Sequence, residues 1–434
     1  MAGMKMAVLR RLQRMLANPS LWVIALVSFS YLLAFMQRTA PGVVGNQLQA
    51  QFHITAAVLG TVASIQFFLY MVLQIPVGLF GDRLGPEKLF VAGVVIDGVG
   101  AIVFGSAHSL TELLTGRALV GLGDALIWVN IVLILSRWFS TEMFGSMLGI
   151  VSTAGNVGGL LATVPLATWV SVSDWATPFL DLGAITIAVA VLNTLVFLGV
   201  PFLGLRARRP PAHRSSVRVQ RVPVWTMLRL VVRDRLSWAT FACHFGAVGT
   251  YTGFISLWAV PFFMTIYGVS RAGATVFTLV GAVSSLVSAP IVGALSDRFG
   301  QRKLIYFTLQ TASTLAWLSV LVWVGQPSHW AGLLVMAVTG FGAGGALLTF
   351  AVIRDGVPTQ RAGVTSGFAN TGGFLSAVLL PVLFGVLLQA GGGGSPVGTD
   401  VGHAYTLAFA VPAFFSFVGV VGTLLIPKRR GRPV

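Results

Sequence analysis

The chain has 434 residues, 56% of them hydrophobic and only 9% charged, with a formal net charge of +16. Soluble domains carry roughly 25% charged residues, so a soluble globule is excluded, and the length accommodates about a dozen spans of about 20 residues. The basic excess does not point to nucleic acid, because it sits in particular connections rather than on one amphipathic face.

Residues 1–20 carry Lys5, Arg10, Arg11 and Arg14 among Val8, Leu9, Leu12, Met15 and Leu16. The apolar stretch that follows is span-length and lacks a small-residue cleavage site, so 1–20 is expected to be a retained amphipathic segment at the cytoplasmic membrane surface. Apolar segments then follow at 21–44, 55–80, 88–107, 110–136, 146–170 and 177–203, an amino-terminal bundle over 21–203. A basic linker over 204–236 precedes six more segments, at 237–267, 272–295, 303–325, 329–353, 362–389 and 402–426. These make a second bundle over 237–426, closed by a basic tail, 427–434. Lipid leaves no water for open backbone groups, so segments this long and apolar must be helices.

Of the 28 Lys and Arg residues, all but Arg38, Arg117 and Arg271 fall on one side if the amino terminus is cytoplasmic. The opposite connections, such as Gly45–Thr55 and Ser171–Thr177, hold none. This bias predicts that both termini are cytoplasmic. Arginine far outnumbers lysine, which fits a GC-rich bacterial genome, and a compact chain without large extramembrane domains fits a bacterial inner membrane.

One charged phrase occurs twice: Gly78-Leu-Phe-Gly-Asp82-Arg83-Leu-Gly85-Pro-Glu-Lys88 and Gly293-Ala-Leu-Ser-Asp297-Arg298-Phe-Gly300-Gln-Arg302-Lys303. Each copy follows the second span of its half, and an even number of spans per half puts both copies on the same, cytoplasmic face. The phrase resembles the loop motif of the major facilitator superfamily, and Arg117, Gly121 and Gly123 resemble the fourth-helix pattern of that superfamily. The resemblance covers the whole chain. It implies an all-α integral membrane protein with 12 transmembrane helices in two parallel, pseudo-symmetric six-helix bundles. The fifth span carries Gly155-Asn156-Val157-Gly158-Gly159 without the proline common in drug-efflux members. Pro86 and Glu87 replace the usual basic residue in the first copy.

Asp82 and Asp297 end the second and eighth spans, and Arg137 and Arg354 end the fourth and tenth. Paired across the cytoplasmic ends, they are expected to form two latches that break when the halves rock. The expected gate comprises Gly78, Asp82, Arg83, Gly85, Lys88 and Arg137, with Gly293, Asp297, Arg298, Gly300, Arg302 and Arg354.

A charge in mid-membrane costs about 2.5–3.5 kcal/mol on insertion scales, so each one needs a partner or a purpose. Arg38, Asp97, Arg117 and Asp124 are the clear cases. Arg117, Gly121, Asp124 and Trp128 recur at helical spacing on one face. In the seventh span His244, Tyr251 and Trp258 are seven apart, and in the first Tyr31, Phe35 and Arg38 line up similarly. At 1.5 Å per residue Arg38 and Arg117 are at a similar depth of roughly 10 Å, an arrangement that favours an anion between two guanidinium groups. The expected substrate contacts are Arg38, Arg117, Trp128, Tyr31, Tyr70, His244, Tyr251 and Trp258. Arg117 also has a structural reading, as the partner of Asp124 or Asp97.

The first two spans resemble the organic-anion branches of the superfamily, among them the anion:cation symporters. The seventh span has Tyr251-Thr252-Gly253 where sugar-phosphate exchangers have an arginine, so a carboxylate is favoured over a phosphate ester. The predicted function is secondary active transport of a small organic anion by rocker-switch alternating access. Asp124, with Asp97, is the expected proton-coupling site. Proton-driven drug efflux is the alternative. No phosphate-cradling Gly-x4-Gly-Lys-Ser/Thr motif, Gly-x-Ser-x-Gly motif or metal-ligand cluster is present, and Cys243 is the lone cysteine. Neither an enzyme nor a bound cofactor or metal is expected. The expected partners are the substrate, protons and the bilayer, with the chain a monomer.

Overall fold

The computed structural model describes residues 19–197, 224–323, 328–392 and 401–427. The expected interfacial segment up to residue 18, the linker over 198–223 and the tail from 428 lie outside the described residues. Among the described residues the structure is helical, with ten helices long and apolar enough to cross a membrane. Two bent pairs, Ser146–Leu161 with Val164–Val172 (42°) and Arg235–Ile255 with Ala259–Tyr267 (63°), bring the number to twelve when each pair is counted as one span.

The first half runs α1 (Pro19–Thr39), α2 (Pro41–Phe52), α3 (Ala56–Leu84), α4 (Pro86–Gly105), α5 (Leu110–Trp138), α6 (Thr141–Leu161), α7 (Val164–Val172) and α8 (Thr177–Phe197). The second runs α9 (Val224–Arg233), α10 (Arg235–His244), a π turn (Phe245–Gly249), α11 (Thr250–Ile255), α12 (Ala259–Tyr267) and α13 (Arg271–Phe299). It continues with α14 (Arg302–Trp323), α15 (His329–Gly345), α16 (Leu348–Gly356), α17 (Thr359–Ala390) and α18 (Val401–Leu425).

Proline and glycine explain the punctuation. Pro41 and Pro86 occupy first turns, where the missing N–H is no loss. α2 carries the first span out to Phe52, where His53 turns the chain at φ 50°. Most of Gly45–Thr55 is therefore helix rather than the expected loop. Part of the expected 204–236 linker is helix as well, as α9. Gly85 and Gly300, the matching glycines of the doubled phrase, both have positive φ (90° and 65°), and each turns the chain between two helices. Only glycine enters that region without a steric cost, which is why both copies carry one there.

By packing, the chain forms two compact units that are not the two sequence halves. The first consists of the described residues within Met1–Arg38, Val72–Leu161 and Ser173–Arg218. Here α4 and α5 touch backbone to backbone: a Cβ at Gly123 would lie 2.5 Å from the Asp97 nitrogen, and one at Gly116 2.6 Å from that of Phe104. Small residues permit such approach in lipid, where no hydrophobic drive joins helices. Val23, Tyr31, Phe90, Ile127 and Trp138 belong to the core of this unit.

The second consists of the described residues within Thr39–Met71, Ala162–Val172 and Val219–Val434. It therefore holds α2, most of α3 and α7 with the second half. Gly60 of α3 sits against the carbonyl of Pro381, and Gly385 against that of Ala56. Ser64 Oγ donates to the Val378 carbonyl at 2.6 Å. All these contacts lie at the end of α3 away from the doubled phrase.

Candidate functional site

The site is built in the first unit from α1, α4 and α5. α5 starts from a capping box: Ser109 Oγ accepts from the Glu112 amide (3.3 Å), and the Glu112 carboxylate accepts from the His108 amide (2.6 Å). The box sets the start of the helix that carries Arg117, Asp124 and Trp128 on one stripe.

Arg38 grips Asp124 with both arms of its guanidinium. Nε donates to Oδ2 at 3.0 Å, and Nη2 reaches Oδ1 at 2.9 Å and Oδ2 at 2.8 Å. The two side chains are 7% and 1% exposed, so this is a desolvated, bidentate ion pair. Phe35 covers the other face, its ring centre 4.4 Å from the Arg38 guanidinium carbon. Tyr31 stacks on Trp128 (4.8 Å) and meets Phe35 edge-on (5.3 Å). α6 approaches this aromatic wall because Gly155 has no side chain; a Cβ there would lie 2.6 Å from the Tyr31 ring.

Arg117 is fully enclosed and donates from Nη1 to the Gln37 carbonyl at 3.1 Å, with Phe104 5.7 Å from its guanidinium carbon. The two arginines are thus tied to adjoining parts of one site, Arg38 to Asp124 and Arg117 to the carbonyl of Gln37, the residue before Arg38. Arg38 is a bidentate partner of Asp124. Asp97 is completely buried, and neither of its carboxylate oxygens has a hydrogen-bond partner among the described residues. Gln37 adds a bond from its amide to Thr186 Oγ1 (2.9 Å). Its role was not singled out by spacing, since a glutamine in a span carries no charge to mark it.

The expected second-half contacts are placed in the second unit. His244 is buried, its Nδ1 3.4 Å from Thr349 Oγ1, which Tyr306 also meets at 2.8 Å. Tyr251 is buried with no hydrogen-bond partner for its hydroxyl among the described residues. Trp258 donates from Nε1 to the Pro381 carbonyl (2.9 Å) and stacks on Phe384. This makes it a packing residue here rather than a free ligand contact. Tyr70 packs on Phe374, ring centres 4.4 Å apart. The seven-residue stripe of His244, Tyr251 and Trp258 is not continuous. A π turn separates the first two, and the helix breaks at Ser256–Trp258. The π turn widens the helix beside Gly249, and the Phe245 carbonyl accepts from Ser376 Oγ (2.7 Å) and Thr250 Oγ1 (3.1 Å).

Of the two expected latches, the one between Asp82 and Arg137 falls outside the described side chains, and the one between Asp297 and Arg354 is drawn differently. The surroundings of Gly78 and the side chains of Asp82 and Arg83 lie outside what is described, while Lys88 is exposed and Arg137 stands 4.0 Å from Glu87. In the second copy Asp297 reaches Arg302 (3.4 Å), within its own motif, instead of Arg354. Arg302 in turn holds Asp355 at 2.6 Å and the Ala351 carbonyl at 2.8 Å. Arg354 is 72% exposed, 3.9 Å from Asp355, and Arg298 lies over Phe299. The last turn of α13 aims Asp297 outward, and Gly300 brings Arg302 back beneath it. Gly293 is helical with open space around its Cβ position. Asp355 was missed, although it follows Arg354 directly at a helix end. Among the described residues no three His, Cys, Asp or Glu side chains gather as a metal site.

A curated relative, a probable sulfoacetate transporter of Cupriavidus necator, is 22% identical over 417 residues, covering 93% of each chain. A probable galactarate/D-glucarate transporter of Bacillus subtilis is 22% identical over 90% of this chain and 89% of its own. A D-galactonate transporter of Escherichia coli is 22% identical over 92% and 95%. Among solved structures, a bacterial homolog of the human lysosomal transporter Spinster matches with a TM-score of 0.73 at 18% identity, covering 96% of this chain and all of that one. The family model described as Major Facilitator Superfamily matches residues 27–381 and 254–434. With twelve spans, the doubled motif and that match across its length, the chain belongs to the Major Facilitator Superfamily.

Proposed function

We propose that the protein is a proton-coupled transporter of a small organic acid, working by rocker-switch alternating access as a monomer in a bacterial inner membrane with both termini cytoplasmic. The observation that carries the reading is Arg38 closed on Asp124 beside Arg117. An intramembrane guanidinium held bidentately by one carboxylate is built to accept another. When Asp124 takes a proton, its hold on Arg38 weakens and the substrate carboxylate takes its place. When the substrate leaves, the proton leaves too, because Arg38 again needs an anion in a desolvated setting. Proton and anion therefore travel together, and Asp97, whose oxygens meet no donor among the described residues, is a second proton carrier beside the pair.

The relatives named for sulfoacetate, galactarate, glucarate and galactonate support an organic acid as cargo. The aromatic wall of Tyr31, Phe35 and Trp128 limits its bulk. The orientation rests on the bias of Lys and Arg to one side.

The test is uptake of labelled galactonate and sulfoacetate by proteoliposomes with and without an inward proton gradient. Concentrative uptake that needs the gradient is expected, and Asp124→Asn should lose the gradient dependence. An Asp124→Asn protein that keeps the wild-type dependence refutes the coupling role. Extrusion of a lipophilic cation with no uptake of any acid refutes the cargo.

A further inference from the structure

In the second unit α9 (Val224–Arg233) stands outside the spans. It ends one residue before α10, with Asp234 extended between them (φ −91°, ψ 126°), so it lies where the seventh span leaves the bilayer. Its residues divide by face. Val231 is 1% exposed and seats the helix, which packs on α10 and α17. Arg229 and Arg233, four apart, share the opposite face. Both are exposed, as is Arg235 just beyond the turn, and among the described residues no carboxylate pairs with any of the three. Asp234, the acid of the turn, accepts from Ser237 Oγ at 3.1 Å.

Apolar side chains flank the arginines. At 100° per residue Leu230 and Val232 fall on either side of them, and these are 43% and 42% exposed. Trp238 is 46% exposed, and its Nε1 donates to the Val232 carbonyl at 2.8 Å, which holds the indole against the end of α9. Leucine, valine and indole are poorly placed in water, and guanidinium groups are poorly placed among lipid tails. The boundary between headgroups and acyl chains suits both. We propose that this face of α9, with Arg235 and Trp238, docks on the surface of an anionic bilayer, its guanidinium groups on lipid phosphates and its apolar side chains at the start of the acyl layer. Charge selects the anionic headgroup, and the indole is the interfacial anchor. The sequence leading up to the helix carries charge of the same sign, with six arginines and no acid over 206–221.

The test is amide hydrogen exchange over Val224–Arg233 in the full-length protein, held in nanodiscs of phosphatidylcholine alone or with phosphatidylglycerol. Exchange should slow with phosphatidylglycerol and return towards the phosphatidylcholine rate at high salt. Arg229→Gln with Arg233→Gln should reduce the added protection about 25-fold, two cations near an anionic surface at about fivefold each. Arg229→Lys with Arg233→Lys should keep most of it. Exchange over α17 in the same samples reports whether each variant is folded. Glycerol phosphate added to phosphatidylcholine nanodiscs should give no protection. Equal exchange in the two lipids, whether α9 is open or covered by another part of the chain, overturns the proposal. So does protection by phosphatidylglycerol that a folded glutamine pair leaves intact, or equal protection by glycerol phosphate.

Discussion

At the residue scale, the Arg38–Asp124 pair dominates the energetics of the first unit. Removing one partner strands a buried charge, so Arg38→Met and Asp124→Leu should each cost about 3–5 kcal/mol. The double variant should recover most of that loss in detergent thermal unfolding while transport stays abolished in all three. A double variant no more stable than the singles would show that the pair is not energetically coupled. Asp97 behaves differently, because no donor is lost when its carboxyl becomes an amide. Asp97→Asn should change stability by less than about 1 kcal/mol, measured in the same way. The four buried charges were legible in sequence, since charge inside an apolar span has few innocent explanations. Which carboxylate meets which arginine was not legible. That depends on rotamers and on the closeness of α4 and α5, set by Gly116 and Gly123.

At the element scale, the doubled phrase is first a device for turning the chain. A Cβ at Gly300 would meet nothing, so Gly300→Ala pays only for its positive φ, about 1 kcal/mol. Gly293 also has open space but is helical, and Gly293→Ala should be neutral or stabilising by about 0.4–1 kcal/mol. Paired unfolding curves of the two variants check the contrast. The π turn is a second device, held by hydroxyls on the Phe245 carbonyl. Ser376→Ala should destabilise by about 1 kcal/mol, since Thr250 still satisfies that acceptor. A periodicity count across His244, Tyr251 and Trp258 assumes 3.6 residues per turn throughout and cannot register either the widened turn or the bend after it.

At the scale of the whole molecule, the second unit takes in segments from the first sequence half. α2 and most of α3 pack on second-half segments through Gly42, Gly60, Gly385 and Ser64. A Cβ at Gly42 would lie 2.9 Å from the Ser256 carbonyl oxygen, and at Gly60 it would collide with the Pro381 carbonyl. Gly60→Leu should therefore loosen this end, and a cysteine placed at Asn46 should react faster with a membrane-impermeant thiol reagent than in the Gly60 background. Equal rates would show that the Gly60 contact does not shield position 46.

Sequence by itself determined the membrane class, the spans, the repeat and the small set of intramembrane charges. These follow from one-dimensional facts: lipid demands long apolar helices, and a duplicated motif carries its register with it. Only the tertiary structure decided that Asp124 closes on Arg38, that Arg302 joins Asp297 to Asp355, and that α2 and α3 pack with the second half. Each of these is a choice among several residues within reach, settled by angles and side-chain directions that spacing along a helix does not encode.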